Sequence, residues 1–217
     1  MRYLWFSLSA IILTGFLYVL DSRSVLPAPL GKLLSPQEGI WQNADRTDMN
    51  FAQELKMSGL KGKVSVFLDD RLVPHVRAEQ ETDAYFVQGY LHARFRLWQM
   101  EFQALATAGR LSEVVGEKAL NYDRTQRRIG LAYGAENALK EMEKDPEIKA
   151  GLDAYTAGVN SFIRTLSTST MPVEYKLLGY RPEVLSGADV KQQIASMLTG
   201  SPEALQYLAK YGAERPR

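Results

Sequence analysis

The sequence of 217 residues has no cysteine and only two histidines, His75 and His92. Without cysteine the chain cannot form a disulfide, use a thiolate nucleophile or hold a zinc or iron–sulfur site through sulfur. Two histidines leave almost no material for a multi-histidine metal site or a Ser/His/Asp triad. These shortages exclude the commonest thiol and metal chemistries.

The chain also lacks an excess of charge of either sign. Its 26 Lys and Arg residues balance 25 Asp and Glu residues, which leaves a formal net charge of +1. No overall field therefore draws the protein to nucleic acid, and we predict no nucleic-acid partner. The 46% of apolar residues suffice for one ordinary domain with a buried core.

The longest run without charge lies at the N-terminus, from Tyr3 to Leu20. As a helix this run is about 27 Å long, close to the hydrocarbon thickness of a bilayer. Residues 1–20 are therefore predicted to be an export segment. No small-x-small cleavage pattern follows, which favours an uncleaved anchor over a cleaved signal peptide. A buried core helix is a third interpretation, which the lack of any polar face disfavours.

The remaining sequence divides into a linker and a folded domain. Residues 21–50 contain Pro27, Pro29 and Pro36 and are predicted to be a linker, which leaves 51–217 as the domain. Between residues 63 and 78 the apolar residues alternate, which predicts a β-hairpin whose second strand lies at an edge or begins beyond Pro74. His75 could carry a proton there, but a lone histidine without a partner is more often structural.

Helical spacing dominates after the hairpin. Thr82 is the expected N-cap of a first helix that ends at Gly109, with a buried stripe of Phe86, Tyr90, Ala93, Leu97, Met100 and Ala104. Its many aromatic residues suit core packing better than a cofactor platform. A second helix is expected over Thr125–Lys144, with Ile129, Ala132, Leu139 and Met142 facing inward. A third follows Asp145, with inward positions Ile148, Leu152, Tyr155, Val159, Phe162 and Leu166. Two short helices are expected near Ser186 and Ser201. The predicted fold class is mainly α with one short β-hairpin.

Three ordered sequence blocks indicate more than a fold class. They are Val73-Pro74-His75-Val76, then Gly89-Tyr90 with Ala93, Arg96-Leu97 and Gln99-Met100, and then Gly109-Arg110-Leu111-Ser112-Glu113 with Gly116. With these blocks, residues 66–130 resemble the opening of the α chain of the penicillin acylase family. The resemblance continues through residues 154–163 and 171–183. One departure is Leu72, which stands where the family usually has a glycine before its V-P-H block.

The resemblance implies a function. Members are N-terminal-nucleophile amidohydrolases of αββα architecture, made as precursors that cut themselves into α and β chains. They hydrolyse the amide of N-acyl compounds such as penicillins or acyl-homoserine lactones. A serine at the start of the β chain attacks while its own α-amino group acts as base. The sequence resembles the α-chain portion, so we expect no nucleophile in it and no activity without a β chain. The alternative is a non-catalytic, membrane-tethered helical fragment or interaction module.

The resemblance also assigns two residues and a location. Met197 matches an apolar residue of the acyl pocket, with core packing as the alternative. Glu203 matches a carboxylate that binds calcium, with complementarity to a helix dipole as the alternative. Calcium is the only implied cofactor, and no organic cofactor is expected. The expected partners are a β chain, an N-acyl amide substrate and the inner membrane, and the expected location is the periplasm, with the N-terminal segment as anchor.

Overall fold

The computed structural model of the protein describes residues 2–22, 55 and 57–182. Most of the predicted linker, the helices expected near Ser186 and Ser201, and the two assigned residues Met197 and Glu203 lie outside this range. Contacts between residues divide the described chain into two compact units. One contains residues 57–113 and 117–165, and the other contains residues 2–22, 114–116 and 166–182.

Helix α1 spans Arg2–Asp21, and its large apolar side chains are exposed. Within the described ranges it is the one helix long and apolar enough to cross a membrane, a test that a signal sequence also passes. Its hydroxyl side chains are satisfied locally, since the Thr14 Oγ1 donates to the Ala10 carbonyl at 2.8 Å. The predicted export segment is thus helical from end to end.

The predicted hairpin is present. Strand β1 (Val64–Leu68) pairs antiparallel with β2 (Pro74–Ala78), in a register that places Phe67 opposite His75. Val64 and Val76 on one face pack against buried Phe86 and its neighbours. Because β2 begins at Pro74, the proline costs the sheet little.

Within residues 79–182 of the described chain, six helices follow the hairpin. They are α2 (Glu81–Ala108), α3 (Ser112–Val115), α4 (Leu120–Ile129), α5 (Leu131–Met142), α6 (Pro146–Thr165) and α7 (Val173–Leu178), with a 3-10 turn over Glu117–Ala119. The expected N-cap at Thr82 is wrong, because α2 begins at Glu81 and Gln80 occupies the cap position. Helix α6 begins as predicted, and the Asp145 Oδ1 accepts the Glu147 N–H at 2.9 Å.

The core forms where α2 crosses α6. The buried apolar side chains of these two helices are Phe86, Val87, Tyr90, Leu91, Ala93, Leu97, Ala104, Val159 and Ile163. The predicted stripe of α2 is therefore confirmed, except that Met100 is only half-buried. The rings of Tyr90 and Phe162 meet edge to face with centroids 5.6 Å apart. Such an aromatic pair stabilises the fold by about 1 kcal/mol beyond the contribution of the apolar area that it buries.

Two expected inward positions are wrong because the chain breaks at Gly130. That glycine has a φ of 81°, which ends α4 and starts α5 in a new direction. The periodicity does not continue through it, so Ile129 and Ala132 are exposed and Leu131 and Ala135 are buried instead. In the first turn of α6, Ile148 is also exposed, contrary to expectation. The fold class itself is confirmed for the described residues, which are mainly helical with one two-stranded sheet.

Candidate functional site

The first sequence block follows the hairpin turn and begins the second strand. The Leu72 N–H donates to the Asp69 carbonyl at 3.0 Å, and the Asp69 N–H donates to the Val73 carbonyl at 3.2 Å. The Asp69 Oδ1 accepts the N–H groups of Arg71 and Val73 at 2.9 and 2.8 Å. These bonds, that of Val73 foremost, hold the pKa of Asp69 below its usual range. One carboxylate thus closes the three-residue loop.

Leu72 is the strained residue of this loop. Its φ of 60° lies in the left-handed region, which costs a residue with a β-carbon about 1–2 kcal/mol. A loop of this kind ordinarily places glycine there. The structure therefore explains why the family's usual glycine stands at this position, and it shows that leucine accepts the same backbone.

His75 lies on the exposed face of the hairpin. Its Nε2 is 3.4 Å from the Asp69 Oδ2, and its ring lies 6.2 Å from that of Phe67 on the opposite strand. Both contacts lie within the hairpin itself. They fit the interpretation of His75 as a structural residue.

The second block lies on α2 and makes the helix crossing possible. A β-carbon on Gly89 would overlap the Tyr155 carbonyl oxygen of α6. A β-carbon on Gly158 of α6 would in turn overlap the Phe86 carbonyl oxygen of α2. Two glycines, one on each helix, thus let the two backbones touch.

A polar pair lies beside this crossing. The His92 Nδ1 is 2.9 Å from the Tyr155 hydroxyl, and the two rings meet edge to face at 5.7 Å. Burial and the nearby Arg96 guanidinium lower the pKa of His92, and burial raises the pKa of Tyr155 to about 12. Both shifts favour the neutral forms. The Nδ1 of the neutral imidazole can accept a hydrogen bond from the Tyr155 hydroxyl, so the pair acts as a hydrogen-bonded link between α2 and α6.

Arg96 of the same block marks a kink. Its φ of −143° and ψ of 23° are not helical, so α2 consists of two helical segments joined at this residue. Its Nη1 donates to the Gln99 Oε1 at 3.2 Å, across the turn that follows the kink. The block thus sets the path of α2 on either side of Arg96.

The third block caps α2 and docks onto α4. Gly109 has a φ of 66°, and a β-carbon on it would lie 2.6 Å from the Asp123 carbonyl oxygen. The Arg127 Nε donates to the Gly109 carbonyl at 2.8 Å, and Arg110 makes a two-point ion pair with Glu113. Gly109 is therefore required both by its left-handed backbone conformation and by the close approach of α4.

Buried Asp123 closes the third block. Its carboxylate accepts the Leu111 and Ser112 N–H groups at 2.9 and 2.7 Å. Burial alone would raise the pKa of Asp123, but the hydrogen bonds from Ser112 and Leu111 outweigh it and lower the pKa. The Asp83 carboxylate binds the backbone of the segment before β1, since it accepts the Lys61 and Gly62 N–H groups at 3.0 and 2.8 Å. Both carboxylates hold backbone rather than a ligand.

The smaller unit contains a cleft of about 370 Å³, which opens around α7. Its lining residues are Thr168, Met171, Tyr175, Lys176, Gly179, Tyr180 and Arg181. The Arg181 Nη2 donates to the Thr168 Oγ1 at 2.9 Å, and the rings of Tyr175 and Tyr180 meet at 5.1 Å. All of these lining residues except Thr168 belong to the segment 171–183 that the resemblance included.

The two residues expected to bind substrate and metal, Met197 and Glu203, lie outside the described residues. Across the described ranges, no group of three or more His, Asp or Glu side chains is placed to hold a metal ion. Sequence reasoning missed the buried carboxylates Asp83 and Asp123 as backbone anchors. It also missed Gly158, although small residues recur on α6 at Gly151, Ala154 and Gly158 and could have indicated a close helix crossing.

Comparison with known proteins decides what these blocks belong to. The sequence matches the penicillin amidase family over residues 63–215, which include all three blocks and the segment around α7. The chain belongs to this family. The shared blocks are thus the hairpin turn, the helix crossing and the α2 cap described above.

Several members of the penicillin amidase family are similar to the chain. It is 38% identical over 129 residues to the penicillin acylase 2 proenzyme of Pseudomonas sp. (strain SE83), which is 59% of this chain and 16% of that protein. It is 31% identical over 141 residues to the acyl-homoserine lactone acylase QuiP of Pseudomonas syringae pv. syringae, 65% of this chain and 17% of that protein. The chain thus spans about a sixth of the length of these curated relatives.

A solved structure shares the fold. The thermostable penicillin G acylase from Alcaligenes faecalis superposes with a TM-score of 0.53 at 24% sequence identity. The superposition covers 71% of this chain and 87% of the matched chain. The fold is therefore that of one chain of a penicillin G acylase.

Proposed function

We propose that the chain is the α-chain portion of an acylase that hydrolyses the amide bond of N-acyl compounds, of the penicillin or acyl-homoserine lactone type. In this proposal a β chain supplies the nucleophilic serine, its α-amino base and the oxyanion-hole donors. The chain described here supplies a scaffold that the β chain covers.

The proposal is supported by the difference between how much of a proenzyme and how much of a single acylase chain this protein matches. The chain matches about a sixth of the proenzyme of Pseudomonas sp. but covers 87% of one chain of the solved acylase. A single chain of about this extent therefore exists as a separate unit in a related acylase. The names of the relatives supply the two substrate classes, N-acylated penicillins and acyl-homoserine lactones.

The architecture of the larger unit suits a scaffold. Three of its carboxylates near the sequence blocks bind backbone, since Asp69, Asp83 and Asp123 each accept two or more N–H groups. Its glycines serve a helix crossing and a helix cap. Such groups hold shape for a reaction that other residues carry out.

Two further parts of the proposal concern residues outside the described ranges. Met197 is proposed to line the acyl pocket, and Glu203 is proposed to give one carboxylate to a calcium ion. The described part of the chain has no metal-binding cluster of its own. A calcium ion would therefore depend on Glu203 and on groups beyond the described residues, and it would hold structure rather than react.

The proposal also places the protein in the cell. Helix α1 is proposed to direct the chain across the inner membrane and to anchor it there, so that the domain lies in the periplasm. The exposed apolar surface of α1 and its length support this.

The experiment is co-expression of the full chain with a β chain taken from the penicillin acylase 2 proenzyme of Pseudomonas sp. (strain SE83). Hydrolysis of chromogenic phenylacetyl and fatty-acyl amides is then measured. The matched control is the same β chain with its first serine changed to alanine. Reading the DNA downstream for a frame that begins a β chain with serine tests the same proposal independently.

A further inference from the structure

The two outer edges of the hairpin differ, and the hydrogen bonds of its turn show which backbone groups face outward. The Asp69 N–H donates to the Val73 carbonyl, so these two residues form a hydrogen-bonded pair. Such pairs alternate along an antiparallel ladder, which makes Phe67 and His75 the next one. Ser65 and Arg77 form the pair after that. The backbone carbonyls, and the N–H groups of all but proline, of the residues that alternate with these pairs therefore point away from the hairpin. These residues are Val64, Val66 and Leu68 on β1 and Pro74, Val76 and Ala78 on β2.

The outer edge of β2 is protected against pairing, and that of β1 is not. Pro74 has no N–H to offer, and β2 also carries His75 and Arg77. Proline and charge are the usual means by which proteins block a sheet edge. Strand β1, with the sequence Val-Ser-Val-Phe-Leu, contains neither. Moreover, the side chains of Val66 and Phe67 are 42% and 68% exposed.

We propose that the outer edge of β1 receives a strand of the acylase β chain, which extends the two-stranded sheet. This inference rests on the proposed function. A two-stranded hairpin is marginally stable alone, and an added strand would pair with its outward backbone groups. The chain matches only 16% of the proenzyme of Pseudomonas sp., so related acylases have most of their length left to supply that strand. The exposed side chains of Phe67, Leu72 and Val73 add apolar contact area beside this edge.

Backbone amide exchange tests the inference directly on the unaltered chain. The ¹⁵N-labelled full chain is studied in mild detergent, alone and bound to the unlabelled β chain of the Pseudomonas sp. acylase. The inward amides of Ser65 and Phe67 should be protected in both states. The outward amides of Val66 and Leu68 should exchange fast in the free chain and at least about ten-fold more slowly in the complex, because each gains a hydrogen bond.

A matched pair of variants tests the same edge through affinity. Val66 and Val76 are register partners, and their N–H groups face opposite edges. Val66→Pro should weaken binding of the β chain by about ten-fold or more, whereas Val76→Pro should leave it within about two-fold. Circular dichroism checks that both variants retain their helices.

The outcomes separate this inference from the proposed function. A complex that forms while the outward amides of β1 still exchange fast overturns the inference and leaves the proposed function standing. Protection of these amides in the free chain, whether by its own residues or by a second copy at high concentration, also overturns it. Absence of any complex overturns the proposed function, and the inference with it.

Discussion

Gly158 of α6 lies against the main-chain carbonyl of Phe86 in α2, so closely that a β-carbon on Gly158 would occupy the place of that oxygen. Gly89 makes the reciprocal contact with the Tyr155 carbonyl. The crossing of these two helices carries most of the apolar core of the larger unit. The geometry of the core therefore depends on the absence of a β-carbon at both Gly158 and Gly89.

Gly158→Ala should lower the free energy of unfolding by about 3 kcal/mol or more, because the backbone of α2 must move to admit the methyl group. Gly151→Ala is the matched control on the same helix. Its β-carbon would meet only the Tyr85 ring, at 3.3 Å, and alanine favours a helix over glycine by about 1 kcal/mol. Urea unfolding should find Gly151→Ala close to the parent. Equal losses in both variants would contradict this account of the crossing.

Leu72→Gly should raise the free energy of unfolding by about 0.5–1 kcal/mol. The left-handed φ of Leu72 costs more than the extra freedom that glycine brings to the unfolded chain. Leu72→Ala is the control, since alanine keeps the strain and removes only an exposed side chain. Thermal unfolding distinguishes the two variants. A glycine variant no more stable than the alanine variant would show that the loop holds Leu72 without strain.

The His92–Tyr155 link should make stability depend on pH. The pKa of His92 is lowered in the folded protein, so the unfolded chain takes up the proton first as the pH falls through 6.5. The contribution of His92 to the free energy of unfolding should therefore be fully present above pH 7. It should decline as the pH falls from there towards the lowered pKa. His92→Gln should remove this part of the decline, whereas His75→Gln, which leaves the link intact, should keep it. Urea unfolding of the three proteins between pH 7.5 and 5.5, roughly a unit on either side of the ordinary pKa, provides the comparison. A decline unchanged in His92→Gln would assign it to other groups.

Fractionation should find the protein in the membrane, with its C-terminal part outside the cytoplasm. A tag at the C-terminus reports the location, and protease added to spheroplasts should remove that tag. The matched variant carries two arginines in place of Ile11 and Ile12, which would make α1 too costly to insert. Full-length protein in the cytosol would contradict export. A shortened, soluble periplasmic product would keep export and reject the anchor.

The sequence predicted the helices and the hairpin well where a pattern of side chains decides the structure. The stripe from Phe86 to Ala104 and the start of α6 after Asp145 depend on spacing and capping, which are local. The break at Gly130 was missed, because an isolated glycine in a helical pattern does not reveal a positive φ.

Contacts between residues of different helices and loops were harder to predict from the sequence. Asp123 binds the backbone of residues 11 and 12 positions earlier, and Gly158 contacts a helix 72 positions earlier, at Phe86. No local pattern encodes such distances. The sequence blocks did identify the relevant segments, since Gly89 and Gly109 belong to them, but the resemblance named these residues without their physical role.

The most direct test of the central claim, that the chain is an acylase α chain, is the turnover of an N-acyl amide by the purified complex with a β chain. The full chain alone should release no product, and the complex should hydrolyse a phenylacetyl or fatty-acyl amide. The complex with the serine-to-alanine β chain should form and remain inactive. Product release by the chain alone, or a stable complex that is inactive with the intact serine, would contradict the claim.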